Sequence, residues 1–421
     1  MWSSVSPYKS AGDAWSRTDF SAESRAQAEW LLDARFDELL RGIAVGRGLS
    51  LEQVRACIDR APLGAREAQQ AGLIDAVAYE DEIERRIYPV GATNLARPRR
   101  SLFRKASPAR EAAPSSIIQW RDAERTLRIP SRVRHSRGIG VIAVEGMIVR
   151  GGGLRSPLPL PLFGSTSTAG SAAVAQALRR AERDDSIAAV VLFVDSQGGD
   201  ALASDLIARE VRRLRTKKPV IAYMSGIAAS GGYYVAALAQ QIIAQPLTIT
   251  GSIGVISLKP NVRDALERLG LHRESLARGA NALMFSDAAL DARTRGALES
   301  SLGRVYGEFK AIVAEGRKRP DDAALEEICS GRVWTGAQAQ AHGLVDLLGG
   351  FDLAVQTAIE CAGLTGTKLR VGWRRIESER QPLLPLAFDP LALFDPGRAL
   401  HALLRRSQIW LIAPWGAQSR E

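Results

Sequence analysis

Two glycine-rich turns hold the residues best suited to chemistry. The first reads Asp195-Ser196-Gln197-Gly198-Gly199-Asp200 and the second Gly226-Ile227-Ala228-Ala229-Ser230-Gly231-Gly232-Tyr233. Each lies between an apolar run with strand character and a segment with helical character. A serine among small neighbours at such a junction presents its hydroxyl at a helix N-terminus, where backbone amides and the helix dipole favour a developing anion. Ser230 therefore has two readings, a nucleophile beside backbone donors or the cap of a helix in an ordinary turn.

A serine nucleophile needs a base to take its proton. None of the four histidines, His135, His272, His342 and His401, lies near these turns in sequence. Lysine is the alternative, because a desolvated ammonium loses its proton near neutral pH, whereas arginine stays charged. Only eight of the 56 basic residues are lysines: Lys9, Lys105, Lys217, Lys218, Lys259, Lys310, Lys318 and Lys368. Lys217 and Lys218 precede Pro219 at a turn and read as solvated, and Lys310 falls off the apolar face of its helix. Lys259 is the nearest in sequence, and Lys9 stands in Tyr8-Lys9-Ser10-Ala11. A lone lysine is ordinarily a surface residue.

Positioning these groups requires an α/β scaffold. Residues 139–144, 188–194 and 220–224 are short, apolar and rich in valine and isoleucine, as buried strands are, and 242–249 continues the pattern. Residues 172–183, 202–214 and 230–239 read as helices between them. Strands alternating with helices indicate parallel pairing with both sheet faces covered.

A repeat organises the rest. Phe20-Ser21 recurs as Phe285-Ser286, and the helical face Leu32, Phe36, Leu39, Ile43 recurs 270 residues later as Leu302, Tyr306, Phe309, Val313. Gly46-Arg47 matches Gly316-Arg317. At an offset of 271, Ala68, Gly72, Leu73, Ile74 and Asp75 pair with Ala339, Gly343, Leu344, Val345 and Asp346. The chain then divides into the end of a first copy (1–90), a linker (91–137), a complete second copy (138–365) and a Pro/Leu-rich tail (366–421). Aligning the copies puts the start of the first about 130 residues before Met1, so Lys9 is expected to lack the strands of its own copy.

Composition excludes several classes. With 46% hydrophobic and 24% charged residues the chain is globular in character rather than disordered or fibrous. Its longest clean apolar run, residues 187–194, falls short of the roughly 20 needed for a transmembrane helix, and residues 1–13 hold no signal-peptide core. Cys57, Cys329 and Cys361 form no zinc or redox spacing, so neither a metal nor a disulfide framework is expected. The net charge of +10 is concentrated in residues 97–137, with twelve basic against three acidic residues. Four prolines there favour a linker over a nucleic-acid-binding domain, with contact to anionic lipid as a second reading. In the tail, residues 398–412 read as a membrane-surface helix or as a segment packed on a neighbouring subunit.

The ordered motifs resemble the signal peptide peptidases (SppA, protease IV) of peptidase family S49. The resemblance rests on the Gly-Gly turn after Val194-Asp195-Ser196, Ala228-Ala229-Ser230-Gly231-Gly232-Tyr233, Thr250-Gly251-Ser252-Ile253-Gly254, Val333-Trp334-Thr335-Gly336 and Gly343-Leu344-Val345-Asp346, together with Tyr8-Lys9-Ser10-Ala11. It implies a ClpP/crotonase-like fold of repeated β-β-α units in superhelical order, with helical arms, as a tandem duplication whose first copy is incomplete. It implies a serine endopeptidase in which Ser230 is the nucleophile, Lys9 the general base and Ser252 the residue orienting that lysine. The amides of Gly199 and Gly231 would form the oxyanion hole. Implied substrates are remnant signal peptides and other apolar peptides, with Leu158-Pro159-Leu160-Pro161-Leu162-Phe163 a candidate lip. No cofactor is implied. A homo-oligomer, a tetramer among its forms, and a place on the periplasmic side of the inner membrane are also implied.

The first turn departs from the family pattern Asn-Ser-Pro-Gly-Gly-Ser. The missing proline is expected to loosen it, and the Asp200 carboxylate to oppose an anion nearby. Two alternatives stand beside the peptidase: an inactive S49-like scaffold, and a crotonase-type acyl-CoA enzyme. The latter shares oxyanion-hole turns but gives no reason for the Ser230 and Ser252 motifs.

Overall fold

The computed structural model describes residues 2–4, 6–10, 13, 17, 19–61, 63–78, 137–153, 168–258, 263–270, 284, 286, 289–319, 323–365, 373–376 and 409–412. Lys259, His272, the candidate lip at 158–163 and nearly all of the basic linker lie outside them. Two units are present, one of Met1–Phe36 with His135–Glu421 and one of Asp37–Arg134.

Along the chain, β1 (Trp2–Ser4) is followed by α1 (Ala22–Arg47), α2 (Leu51–Asp59) and α3 (Ala65–Gln70). The central part then runs β2 (Gly138–Glu145), β3 (Met147–Val149), β4 (Thr168–Gly170), α4 (Ser171–Arg183), β5 (Ile187–Ser196), β6 (Gly198–Asp200), α5 (Ala201–Arg215), β7 (Val220–Ala229) and α6 (Gly231–Ala237). It continues with β8 (Gln241–Ala244), β9 (Ile249–Gly251), β10 (Ile256–Leu258), α7 (Arg263–Arg268), α8 (Ala292–Arg317) and α9 (Ala323–Ile328). The chain closes with β11 (Val333–Thr335), α10 (Gly336–Ala341), β12 (Leu347–Leu348), α11 (Phe351–Cys361), β13 (Trp373–Arg375) and β14 (Ile409–Ile412).

Apolar, β-branched runs form the centre of an eight-stranded sheet ordered β11-β9-β7-β5-β2-β13, with β8 and β12 branching from β7. The pairs β2–β5, β5–β7 and β7–β9 are parallel, while β11 joins β9 antiparallel. Parallel pairing demands cover on both faces, which is why β5 reads as nearly unbroken hydrophobicity. Val190, Leu192 and Val194 pack with Val174 and Leu178 of α4 and Ile207 and Val211 of α5. Ala189 and Val191 face Ala354 and Ala358 of α11.

A second sheet is ordered β1-β10-β14-β6-β3-β4. Long strands of the first sheet hand over to short strands of the second, β2 to β3 and β5 to β6. Because β5 and β7 run parallel, the turns that follow them lie at the same end of the large sheet, where the two glycine-rich turns meet.

Residues 242–249, read as one strand, divide into β8 and β9. Pro246 has no N–H to donate to a ladder, and Thr248 closes the intervening turn, its amide donating to the Gln245 carbonyl and its hydroxyl accepting from the Gln245 amide. The predicted face of α8 is correct, since Leu302, Tyr306, Phe309 and Val313 are all buried. In α1 the face is rotated: Leu32 is 67% and Leu39 50% exposed, whereas Ser24, Gln27, Leu31, Leu40 and Ala44 are buried. The reason is polar docking in the first turns, where the Gln27 side chain accepts from the Val333 amide at 2.9 Å and Trp30 Nε1 donates to the Val333 carbonyl at 2.9 Å. In the tail, where residues 398–412 were expected as a membrane-surface helix or a segment packed on a neighbouring subunit, residues 409–412 form a strand, and the rest of that stretch lies outside the described residues.

Candidate active site

Ser230 sits where β7 ends and α6 begins. Its backbone has φ 55° and ψ −117°, a sparsely populated region that costs on the order of 1–3 kcal/mol and has to be held by its surroundings. Two backbone bonds hold it: the Ser230 amide donates to the Gly251 carbonyl at 2.8 Å, and the Ser230 carbonyl accepts from Tyr234 at 2.8 Å. Tyr233 locks α6 from behind, its hydroxyl donating to the Leu344 carbonyl at 2.9 Å. The side chain of Ser230 makes no capping bond to its helix, so the plain capping reading is set aside. Its hydroxyl meets a lysine instead.

Lys9 Nζ lies 2.8 Å from Ser230 Oγ, 2.7 Å from Ser252 Oγ and 2.9 Å from the Ser252 carbonyl oxygen. All three residues are fully buried. Burial strips water from the ammonium and pulls the Lys9 pKa well below its ordinary 10.5. Ser252 has its own left-handed turn, φ 51°, and its amide donates to the Arg332 carbonyl at 2.6 Å.

The Lys9 segment, expected to lack the strands of its own copy, is held by elements from the later part of the chain. Strand β1 pairs antiparallel with β10, Trp2 opposite Leu258 and Ser4 opposite Ile256. The turn after it is fixed by Lys9 N donating to the Ser6 carbonyl at 3.0 Å and Tyr8 N donating to the Ser330 carbonyl at 3.2 Å. The Arg332 guanidinium lies 4.3 Å from the centre of the Tyr8 ring, and Tyr8, Trp30 and Trp334 form an aromatic row with Trp30 and Trp334 stacked at 5.3 Å. The Val333-Trp334-Thr335-Gly336 motif is thus a dock for the segment that carries the lysine. Gln27 and Trp30 lie off the apolar stripe of α1, so hydrophobic periodicity gives no signal for them; both act by hydrogen bonds to Val333.

The two glycine turns are in contact. A Cβ placed on Gly231 would lie 2.6 Å from Ser204 Oγ and 3.2 Å from Gly199 N, so only a glycine lets the helix start approach β6 this closely. Gly231 opens α6, whose first i to i−4 bond is Tyr234 to Ser230, so the leading amides head the helix without intrahelical partners. Ser196 braces the first turn without a proline: its hydroxyl donates to the Gly146 carbonyl at 2.6 Å and accepts from Gly198 N at 3.1 Å. Asp200 is also occupied. It caps α5 by accepting from Ala203 N at 2.8 Å and pairs with Arg150 at 3.1 Å, so its charge is offset.

His342 packs its ring on Trp334 at 4.3 Å, in keeping with a structural role. Among the described residues no group of three or more His, Cys, Asp or Glu is arranged to hold a metal ion.

This fold and cluster define a parallel-sheet α/β protein with a buried serine–lysine pair. The model of peptidase family S49 matches residues 2–88 and 212–365, more than half of the chain, and the chain belongs to that family. It is 34% identical over 368 residues to the chloroplastic serine protease SPPA of Arabidopsis thaliana, covering 86% of this chain and 50% of the relative. Protease 4 of Haemophilus influenzae is 30% identical over 368 residues, covering 84% and 55%. The chain spans about half the length of these curated relatives. Among solved structures, a membrane-bound stomatin-specific protease in complex with a substrate peptide aligns at a TM-score of 0.35 and 17% identity, over 62% of this chain and 98% of that one.

Proposed function

We propose that this chain is a serine endopeptidase that cleaves remnant signal peptides and other apolar peptides with a Ser230/Lys9 dyad. The observation that carries the proposal is the fully buried Lys9 amine 2.8 Å from Ser230 Oγ. A neutral amine donates to the Ser252 carbonyl and hydroxyl and still offers a lone pair to the Ser230 O–H. Lys9 takes that proton as Oγ attacks the scissile carbonyl. The resulting oxyanion is held by the amides of Gly199 and Gly231, each such donor commonly contributing about 10²–10³ in rate. Lys9 then protonates the leaving amine and activates the water that hydrolyses the acyl-enzyme.

The two helical arms support the reading of a tandem repeat with the boundaries 1–90, 91–137, 138–365 and 366–421. Helices α1 and α8 have the same 26-residue length, and Arg47–Asp75 is matched by Arg317–Asp346. The same reading carries a homo-oligomer and a site of action on the periplasmic face of the inner membrane, with the basic linker touching anionic lipid. No helix among the described residues is long and apolar enough to cross a membrane.

The test is labelling by a fluorophosphonate probe. Wild type is expected to react, Ser230→Ala to be silent, and Lys9→Ala to react at least a hundredfold more slowly. Labelling that survives Ser230→Ala would sink the nucleophile. Equal labelling of wild type and Lys9→Ala would sink the dyad, and a silent wild type would favour an inactive scaffold.

A further inference from the structure

Three consecutive residues between α9 and β11 touch both sides of the candidate dyad. The Ser330 carbonyl accepts from the Tyr8 amide at 3.2 Å, one residue before Lys9. Gly331 lies against the lysine itself, since a Cβ there would stand 2.9 Å from Lys9 N and 3.2 Å from Lys9 Cβ. Its amide donates to the Ile253 carbonyl at 2.7 Å, and the Arg332 carbonyl accepts from the Ser252 amide at 2.6 Å. This turn therefore ties the segment that carries the base to the serine that holds its amine.

Ser330 has φ 53°, a left-handed conformation that a serine rarely adopts without support from its surroundings. The support comes from the helical arm. Ser330 Oγ donates to Glu326 Oε1 at 2.5 Å, and the Ser330 amide donates to Tyr306 Oη at 2.9 Å. Tyr306 Oη in turn donates to the same Glu326 oxygen at 2.8 Å, while Lys310 Nζ lies 3.1 Å from Glu326 Oε2. Burial opposes the charge on Glu326, but hydrogen bonds from Ser330, Tyr306 and Lys310 outweigh it and hold the carboxyl below its ordinary range. Glu326 is thus a fixed, ionised acceptor at neutral pH, tied to both α8 and α9.

We propose that Glu326 is a positioning residue for the general base: with Tyr306 it clamps Ser330, and through the turn at 330–332 it sets where the Lys9 amine meets Ser230. It touches no reacting atom. The proposal rests on the peptidase reading for its effect on rate, and on hydrogen-bond geometry for the clamp itself. Without the clamp Ser330 relaxes toward ordinary backbone, the Tyr8–Lys9 segment loses its fixed seat, and water reaches the amine. Misplacing a catalytic group by about 1 Å costs up to roughly 10²-fold in rate. Renewed solvation returns the Lys9 pKa toward its ordinary 10.5. A loss of stability alone would scale the rate without moving its pH dependence.

The test uses the full chain as Glu326→Ala, Glu326→Gln and Tyr306→Phe, with the exposed Glu327 replaced by alanine as a control. In Glu326→Ala, kcat on an apolar fluorogenic peptide is expected to fall about tenfold, and the acidic limb of kcat/KM to move up by roughly half a pH unit or more. Glu326→Gln keeps an acceptor for the two hydroxyls and should recover most of both changes. Tyr306→Phe, which keeps the ring, should move the limb in the same direction, and it stands in if Glu326→Ala does not fold. Glu327→Ala should match wild type. Acetic anhydride labelling, mapped by mass spectrometry, reads Lys9 without turnover. At about pH 10, where a modest rise in pKa leaves the amine mostly neutral, the fully buried Lys9 should acetylate several-fold faster in Glu326→Ala and Tyr306→Phe than in wild type. An acidic limb that keeps its wild-type position, Lys9 acetylation unchanged in both variants, or a Glu326→Gln no better than Glu326→Ala would each overturn the proposal. If the peptidase reading is wrong, hydrolysis is absent in every form while Lys9 acetylation still decides the clamp.

Discussion

Replacing Lys9 with methionine, which keeps the length of the stem and removes the amine, makes stability depend on pH in a way that can be worked out in advance. The buried amine has its pKa pulled well below 10.5 by desolvation. Below the folded-state pKa both folded and unfolded chains hold the proton, and the folded state carries the full burial penalty. Between that pKa and 10.5 the unfolded chain binds one proton more than the folded one, so the free energy of unfolding rises with pH by about 1.4 kcal/mol per unit. Above 10.5 the rise stops. Methionine has no such titration. The difference between wild type and Lys9→Met should therefore tilt toward wild type at about that slope as pH increases. The perturbed tyrosines, Tyr233, Tyr234 and Tyr306, whose pKa values burial raises, are common to both proteins and cancel. Urea unfolding followed by tryptophan fluorescence from pH 6.5 to 9.5 measures the tilt. Wild-type kcat/KM should climb as the pH rises through the folded-state pKa and level off above it, where the stability slope sets in, and Lys9→Met should lose about 10²–10⁴ in kcat. A stability difference that is flat, or that falls as pH rises, would refute the buried-amine argument whatever the activity does.

Ser252→Ala strips one partner from the Lys9 amine, and with about 1–3 kcal/mol attached to an unmet buried group, kcat should fall roughly ten- to a hundredfold while the fold persists by circular dichroism. Gly316→Ala should destabilise by about 1–3 kcal/mol, because its Cβ would lie 1.9 Å from the Ala237 carbonyl oxygen. At the matching position of the first arm, Gly46→Ala has open space and should stabilise by about 0.5–1 kcal/mol; thermal melts of both variants check the contrast. Asp200→Ala removes the cap of α5 and should cost about 1 kcal/mol, whereas Asp200→Asn keeps an acceptor for Ala203 N and should cost less, again read as a shift in melting temperature.

Much of the scaffold was legible in the amino-acid order because its elements are locally consistent. Strands β2 and β5 are buried on both faces and so read as continuous apolar runs, and α4 and α5 carry one clean apolar face each. Ser230 was a candidate because a small-residue turn between a strand and a helix presents a hydroxyl at a helix N-terminus, although the same turn equally suits a plain cap. The arm α1 was misread at its N-terminal end because its buried face there is polar. Periodicity counts apolar side chains and does not detect a glutamine and a tryptophan that hydrogen-bond a strand edge. The strand β14 went unseen because a four-residue apolar segment has the same composition on a membrane-surface helix as in a sheet.

Taken alone, the order of residues determined the α/β class, the recurrence of residue types at a shared offset and the serine turn, since each depends on neighbours within a few residues or on that offset. Lys9 could be matched only by resemblance, because 221 residues separate it from Ser230 and no local signal distinguishes it from a surface lysine. Tertiary structure decided that it is buried, which carboxylates are already engaged, and that the far end of the chain joins the second sheet. Desolvation, capping and strand pairing are properties of what surrounds a group, and those surroundings exist only once distant segments have packed.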